Sequence, residues 1–505
     1  MRGGTGVAVS GDVARAVSTV RDAARSWGRE RVTVRVAAAR ALRERIVERL
    51  DDVTSAVMTD AGKTRSEALL TDVLATLEIM LANESLAPRA LAPETRAGTL
   101  ILPHSTATVT REPWGVVLVI GPYNNPFQLT LLPAITALLA GNGVIIKPSE
   151  KSPATAAMLD ALLRESGFPG GVVALVEGGA RQARELIEAR PDLIFFTGGE
   201  RGGRAVMEAA AAHPVPVMLE LGGKNPMVVF GDADLERACQ AAVYGAFAHD
   251  GQHCVSVGRL CVEDTVYEDV CRAVAEGARR LVRGRDVAET PDTDAAARAR
   301  AHVASALDAG ARLLTAREGD DVTLPAVVAD VTPDMTIATE ETFGPALPIM
   351  RFTGNAEARE QARMGAYGLN ASIWTRDLRR GRRLARDLDT GSVFINGTLT
   401  NAGHPWMPFG GVGRSGFGRY HGLEGIRAFT RSKSTLERPA RPAADINWFP
   451  FGDDIDELTT ELVRLRYGAS RGLLGTIAGW LRLWRLRAAR FATLAKATLR
   501  GGKRS

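Results

Sequence analysis

Three side chains of this sequence have the types needed to make and break an acyl bond. Cys254, in Gly251-Gln252-His253-Cys254, offers a thiol. Glu220, in Glu220-Leu221-Gly222-Gly223-Lys224, offers a carboxylate, and Asn124, in Pro122-Tyr123-Asn124-Asn125-Pro126, an amide. A thiolate is a strong nucleophile, a carboxylate can deprotonate water, and an amide N–H stabilises an oxyanion. Together they suit acyl chemistry through a thioester. Taken singly, each has a plainer reading: a structural thiol, a surface carboxylate, a turn residue before proline. Their shared placement at loop edges is what joins them.

Strands and helices must hold these loops. The apolar runs 116–120, 143–147, 172–176, 193–196 and 215–219 have strand length, and helical stretches such as 153–166 and 201–212 separate them. Strands alternating with helices predict a parallel, doubly wound sheet. Asn124 and Glu220 fall at strand ends, where open α/β sheets bind ligands. Residues 222–397 repeat the pattern, with strands at 226–230, 346–352 and 392–396 and helices at 234–248, 266–283 and 377–388. Residues 11–90 read mainly as amphipathic helix, and Thr99 to Arg111 as an extended β-arm.

Seven motifs carry a resemblance: P-Y-N-N-P, V-I-I-K-P-S-E, F-F-T-G-G-E-R-G-G, L-E-L-G-G-K-N-P, G-Q-H-C, E-E-T-F-G-P and M-P-F-G-G-V-G-R-S-G. In this order, across about residues 11–435, the chain resembles the aldehyde dehydrogenase superfamily, with several motifs like its class 3, fatty-aldehyde branch. The resemblance implies that Cys254 is the nucleophile, that Asn124 and the Cys254 backbone N–H form the oxyanion hole, and that Glu220 is the base for thioester hydrolysis. It also implies that Lys147 and Glu150 hold the adenosine ribose. Gly198, Gly199 and Gly203 then meet the pyrophosphate, while Glu341 and Phe343 face the nicotinamide ribose and ring. The glycines follow a looser spacing than G-x-G-x-x-G, and Gly199 stands where many members carry serine. A carboxylate at Glu150 repels a 2′-phosphate and favours NAD; Lys147 and Lys151 leave NADP as the alternative. Asn125, Leu132 and His253 are candidates to line the substrate pocket, His253 being equally readable as a structural histidine. The sequence departs from the class 3 branch after Cys254, reading Val255-Ser256-Val257-Gly258-Arg259 in place of a small-Pro-Asp-Tyr run, and Tyr123 stands where tryptophan is common.

Composition sets the frame. The chain has 505 residues, 45% hydrophobic and 24% charged, which is ordinary for a soluble enzyme. Its cysteines, Cys239, Cys254, Cys261 and Cys271, have neither disulfide nor zinc spacing, and a reducing, cytoplasmic setting is expected. No signal peptide and no bilayer-spanning run is read from it. From Gly468 to Ser505 there are nine Lys or Arg and no acid, so the net +5 leaves −4 on the rest. That balance argues against nucleic-acid binding by the body. In the tail, Leu473, Ile477, Leu481, Trp484, Ala488, Phe491 and Ala495 fall on one helical face, with Arg482, Arg485 and Arg490 largely elsewhere. A basic amphipathic helix with tryptophan reads as peripheral binding to an anionic membrane surface, or as a helix docked on another subunit.

The expected architecture is α/β, aldehyde dehydrogenase-like. Residues 1–99 and 114–221 bind NAD(P), 222–424 form the catalytic domain, and 100–113 with 425–437 form an oligomerisation arm suited to a homodimer or homotetramer. A proline-containing extended segment covers 438–470, and a basic helix 471–500. The expected reaction is NAD(P)-dependent oxidation of an apolar aliphatic or aromatic aldehyde, without a metal. A small acidic aldehyde such as succinic semialdehyde is the alternative substrate, and a membrane-associated scaffold the alternative without catalysis.

Overall fold

The computed structural model describes residues 10–97, 105–288, 293–316, 325–438, 447–449, 451–468 and 473–501. Its internal contacts divide the chain into two units, Met1–Ala92 with Thr110–Lys433, and Pro93–Val109 with Ser434–Ser505.

The larger unit holds two parallel sheets. In the first, β1 (Val116–Ile120), β2 (Gly143–Lys147), β3 (Val173–Leu175), β4 (Leu193–Thr197) and β5 (Val217–Glu220) run parallel in the spatial order β5-β4-β1-β2-β3. The strands are β-branched and apolar, and β1, β2 and β4 are buried along their whole length, as helices on both faces require. The order reverses beside β1, so the loop after it opens on a crevice. Asn124 sits in that loop, and Glu220 ends β5.

The second sheet contains β6 (Asn225–Val229), β7 (Val257–Glu263), β8 (Arg312–Leu313), β9 (Ala326–Ala329), β10 (Ala346–Phe352), β11 (Asn370–Trp374) and β12 (Ser392–Ile395). Its order is β8-β9-β10-β7-β6-β11-β12, parallel except for β8. Polar residues hide two of these strands from a hydrophobic pattern. Within β7, Arg259 is buried and donates to the carbonyl oxygens of Gln361, Ala338, Ala362 and Met364. In β11, Ser372 bonds Gly397 and Trp374, and Asn370 bonds Asn401.

Two expected boundaries shift. A last strand, β13 (Gly416–Phe417), lies within the span read as catalytic domain but pairs antiparallel with β5, placing Gly416 opposite Glu220. It thereby covers what would be an open edge. A Cβ at Gly416 would lie 2.1 Å from the Leu219 carbonyl oxygen, so only glycine permits the pairing. The segment expected to run extended over 438–470 contains a helix, Asp453–Tyr467. No proline follows Pro450 there. Asp453, Asp454 and Asp456 occupy the first turn and Arg464 and Arg466 the last, as the helix dipole favours.

The smaller unit pairs Glu94–Arg96 antiparallel with Ala107–Val109. It also packs the 453–467 helix against the tail helix Leu473–Gly501. Gly479, Leu483, Arg490 and Leu494 are buried in that hairpin, Arg490 reaching Asp454 at 3.3 Å. Trp480, Leu481 and Trp484 stay exposed, Trp484 by 74%. The packed stripe is therefore offset from the apolar face read in the sequence. Among the described residues no helix is long and apolar enough to cross a membrane.

Candidate active site

The turn that delivers Cys254 is built against the grain of the backbone. Helix Leu235–Phe247 ends in a tight turn where His249 (φ 49°) and Asp250 (φ 57°) both adopt the left-handed conformation. Such residues persist only where their surroundings hold them. Here Asp250 pairs with Arg283 at 2.9 Å, and Glu67 Oε1 accepts the His249 N–H at 2.7 Å. Gly251 follows with φ 76°; a Cβ there would press to 2.4 Å from the Gly344 carbonyl oxygen. Beyond Gly251, Asn225 Nδ2 donates to the Cys254 and Ser256 carbonyl oxygens, each at 2.8 Å. The second asparagine-bearing motif, L-G-G-K-N-P, therefore fixes the loop of Cys254, a role its position in the sequence does not announce.

Cys254 is half-buried, whereas Cys239, Cys261 and Cys271 are buried. Burial pushes the Cys254 thiol up to about 12, and the carboxylates of Glu220 and Glu341 add to that; the N–H groups of Cys254 and Val255 act in the opposite direction. Asn124 is buried, and its Nδ2 donates to the Gln252 carbonyl oxygen at 2.8 Å, which ties the loop after β1 to the Cys254 turn. Glu220 is 4% exposed, and neither carboxylate oxygen has a hydrogen-bond partner among the described residues. Burial raises its pKa well above the ordinary carboxylate range, with Arg419 partly opposing. A buried carboxylate without a partner is rare and destabilising unless something else meets it.

One cavity of about 850 Å³ brings most of the sequence-derived residues together. Asn124, Lys147, Glu150, Gly198, Gly199, Glu220, Cys254, Glu341 and Phe343 all line it. Gly203 does not: its Cα packs where a Cβ would meet Leu221 at 2.8 Å, so it allows helix and strand to approach closely, while Gly202 faces the cavity. Asn125, Leu132 and His253 do not line it either. Leu132 is wholly buried in the main core, and Asn125 and His253 are buried against each other, 3.4 Å between Nδ2 and Nδ1.

The cavity fits a dinucleotide. Its volume lies within the usual range for cofactor sites. The space at Gly199 is open, and the first turn of helix Glu200–Ala210 begins there, so its free N–H groups suit an anion. Lys147 Nζ lies 3.5 Å from Glu150 Oε2 at one end of the lining. At the other, Phe343 (φ 48°) stacks edge-on with Tyr123, and Glu341 Oε1 accepts the Gly223 N–H at 3.0 Å. A Cβ at Gly222 would collide with the Glu341 carboxylate, so the glycine pair after Glu220 makes room for it.

Comparison with known proteins decides the family. The aldehyde dehydrogenase family model matches residues 5–435. The chain belongs to the aldehyde dehydrogenase family. It is 43% identical over 440 residues to a 4,4'-diapolycopene aldehyde oxidase from Methylomonas, covering 85% of this chain and 82% of that one. It is 32% identical over 407 residues to a 4,4'-diaponeurosporen-aldehyde dehydrogenase from Staphylococcus aureus, covering 79% and 88%. Among solved structures, a Mycobacterium tuberculosis aldehyde dehydrogenase complexed with NAD+ superposes with a TM-score of 0.80 at 31% identity, covering 86% of this chain and 92% of that one. The chain is an NAD(P)-dependent aldehyde dehydrogenase.

Proposed function

We propose that this aldehyde dehydrogenase oxidises a long apolar aldehyde to its acid at Cys254. The observation that carries the reading is the convergence of a half-buried thiol, a tethered amide and a partnerless buried carboxylate on one dinucleotide-sized cavity. Cys254 Sγ adds to the aldehyde carbon as its proton leaves. The carbonyl oxygen becomes an oxyanion, received by the Cys254 N–H and by Asn124, whose NH2 has a second hydrogen beyond the one given to Gln252. NAD(P), when bound, would supply the acceptor for the hydride whose loss from the thiohemiacetal carbon leaves a thioester. Glu220 then takes a proton from the water that attacks the thioester, and the acid leaves as Sγ is reprotonated. Glu150, near the ribose end, makes NAD the favoured cofactor.

Two features support an apolar substrate. Lys63, the cation at Asn125, is neutralised by Asp72 at 2.5 Å, which leaves it unsuited to anchor a substrate carboxylate. Leu70 and Leu74 are exposed on the same π-helical turn, Ala68–Leu74, that carries Asp72. The two relatives named for carotenoid-derived aldehydes agree in class. The test is cofactor reduction with a panel of aldehydes. Higher kcat/KM for long apolar aldehydes than for succinic semialdehyde is expected; the reverse order rejects this substrate class.

Outside the cleft, the reading includes a homo-oligomer and a membrane-facing tail. Strands Thr106–Pro113 and Thr430–Glu437 supply the arm; within the larger unit Arg111 donates to Ser432 at 2.8 Å and Lys433 to Glu112 at 2.8 Å. In the hairpin, exposed Ile477, Trp480, Leu481 and Trp484 stand among Arg482 and Arg485, a combination that suits an anionic bilayer surface. Such a placement keeps the enzyme where apolar aldehydes dissolve.

A further inference from the structure

Behind the catalytic loops lies a buried ionic chain that the reaction scheme does not use. Lys63 occupies the turn between helices Leu50–Ala61 and Arg65–Glu67, and its side chain is wholly buried. An ammonium has three N–H donors. Each has an acceptor: Asp72 Oδ2 at 2.5 Å, Thr71 Oγ1 at 2.9 Å, and Asn125 Oδ1. Asp72 faces a second way. Its Oδ1 accepts the N–H groups of Phe127 and Gln128 at 3.2 and 3.3 Å, where helix Gln128–Leu139 begins.

The loop after β1 is thus gripped at two points just beyond Asn124. Downstream it is held by Asp72, and at the adjacent Asn125 by Lys63. Asn125 passes the connection on, its Nδ2 lying 3.4 Å from His253 Nδ1, one residue before the nucleophile. The same N-terminal segment holds the nucleophile turn through Glu67 and the His249 N–H. Asn124 and Cys254 come from different domains of the fold, and residues 63–72 touch both loops.

We propose that Lys63 and Asp72 are a positioning pair that sets the Asn124 amide against Cys254 through Asn125 and His253. Lys63 fixes which way the Asn125 amide points, because its Oδ1 must accept and its Nδ2 must therefore face the imidazole. Without the ammonium that amide is free to turn over, and the register between the two loops is lost. Misplacement of a reacting group by about 1 Å suffices to slow catalysis about a hundredfold. Charge contributes as well. Burial first, and the Lys63 ammonium second, lower the pKa of His253 to about 3. The groups facing it are Lys63 with its partner Asp72, Asn125, and His249 from its own turn; Asp250 is turned towards Arg283.

The inference rests on the roles given to Asn124 and Cys254, so Asn124→Ala is measured beside it as a control for those roles. Two variants separate positioning from packing. Lys63→Met removes the donors and strands the Asp72 carboxylate, whereas Lys63→Met/Asp72→Asn also removes the stranded charge and keeps an acceptor for Phe127 and Gln128. Rapid mixing with NAD and an aldehyde reads the rate of the first NADH formed; thermal melting and NAD titration read the fold.

The double variant is expected to regain melting temperature over the single one and to bind NAD normally. Its acylation rate should stay about 10- to 100-fold below the wild type. In Lys63→Met the acidic limb of that rate should move to higher pH, since His253 loses a neighbouring cation and faces an uncompensated carboxylate. Wild-type acylation in the double variant overturns the proposal, as does failure of both variants to fold, which would make the pair a core element only. If Asn124→Ala is itself fully active, the role of Asn124 fails instead.

Discussion

The catalytic cleft and the C-terminal hairpin leave opposite kinds of groups unpartnered. In the cleft, the Glu220 carboxylate is polar, buried and without a hydrogen-bond partner among the described residues. In the hairpin, Trp480, Leu481 and Trp484 are apolar and exposed, although the neighbouring Arg490 is completely buried and paired. Each arrangement is locally unfavourable, one through desolvation and the other through exposed apolar area. Each fits the role proposed for it: the carboxylate as a base towards water, the exposed stripe as a contact with an apolar surface.

The comparison breaks most completely if the cleft is not where chemistry occurs. Cys254→Ser should lower turnover by about 10^4-fold or more while NAD binding persists, because a hydroxyl is a far weaker nucleophile. Cys239→Ala, Cys261→Ala and Cys271→Ala should keep most of the activity, since those thiols lie in the core away from the cavity. Steady-state NADH formation measures both.

Glu220→Gln should reduce steady-state turnover by about 10²- to 10⁴-fold. Acylation remains possible, so rapid mixing should show a burst of one NADH per site before the slow phase. Its pH dependence is also fixed in sign. The folded pKa of Glu220 is raised above the unfolded value, so the wild-type carboxyl is compatible with folding when protonated. It becomes a burden as pH rises beyond the ordinary carboxylate range. The melting temperature of Glu220→Gln should exceed that of the wild type at neutral pH, with the difference vanishing as pH falls towards 4. Wild-type deacylation should rise with pH as the base form fills. A variant with wild-type turnover, or less stable than wild type at pH 8, contradicts the reading of Glu220.

Asn124→Ala should cost about 10²- to 10³-fold in kcat, the usual effect of deleting one oxyanion donor. Because Asn124 also ties its loop to Gln252, part of that loss is positional. Asn124→Asp separates the two: it keeps size but offers an acceptor to the oxyanion, and should be no better than alanine.

Much of this was legible in the sequence because the chemistry-bearing residues lie in short contiguous motifs beside strands with a strong apolar pattern. The strands 116–120, 143–147 and 346–352 coincide with β1, β2 and β10, and all three residues read as catalytic line one cavity. What stayed hidden depends on distance along the chain. β13 joins β5 from nearly 200 residues away through glycines with no strand pattern. Lys63 and Asp72 look like ordinary helix-surface charges until the fold buries them beside Asn125. The substrate-pocket candidates Asn125, Leu132 and His253 lie outside the cavity that the other candidates line. Leu132 has the spacing of a pocket residue on a helix leaving the crevice, but every residue of helix Gln128–Leu139 is buried, so the pattern there carries no direction. The tail offers more than one apolar stripe: Leu483, Leu486 and Leu494 blur the edges of the face read from the sequence, and Leu483 and Leu494 are the ones buried in the hairpin.

The smallest and most informative test concerns that hairpin. Deleting residues 468–505 removes nine positive charges and the exposed tryptophans together, and should abolish co-sedimentation with anionic vesicles. Activity towards a small soluble aldehyde should survive, because all residues lining the cavity precede residue 370. That deletion, however, does not separate charge from apolar contact. Trp480→Ala/Trp484→Ala leaves every arginine in place and spares the buried contacts of Leu483, Arg490 and Leu494 with the other helix. Basic residues contribute on the order of 1 kcal/mol each near an anionic surface, and this share is screened by salt. The aromatic share is not screened. The double variant should therefore bind vesicles severalfold more weakly than the wild type at low salt and lose binding almost entirely at high salt, where the wild type retains part. Equal salt curves for the two proteins would mean that the tryptophans never enter the bilayer interface. Full-length protein that stays in the supernatant, with the deletion changing only its oligomeric state, would make the exposed stripe a contact between subunits.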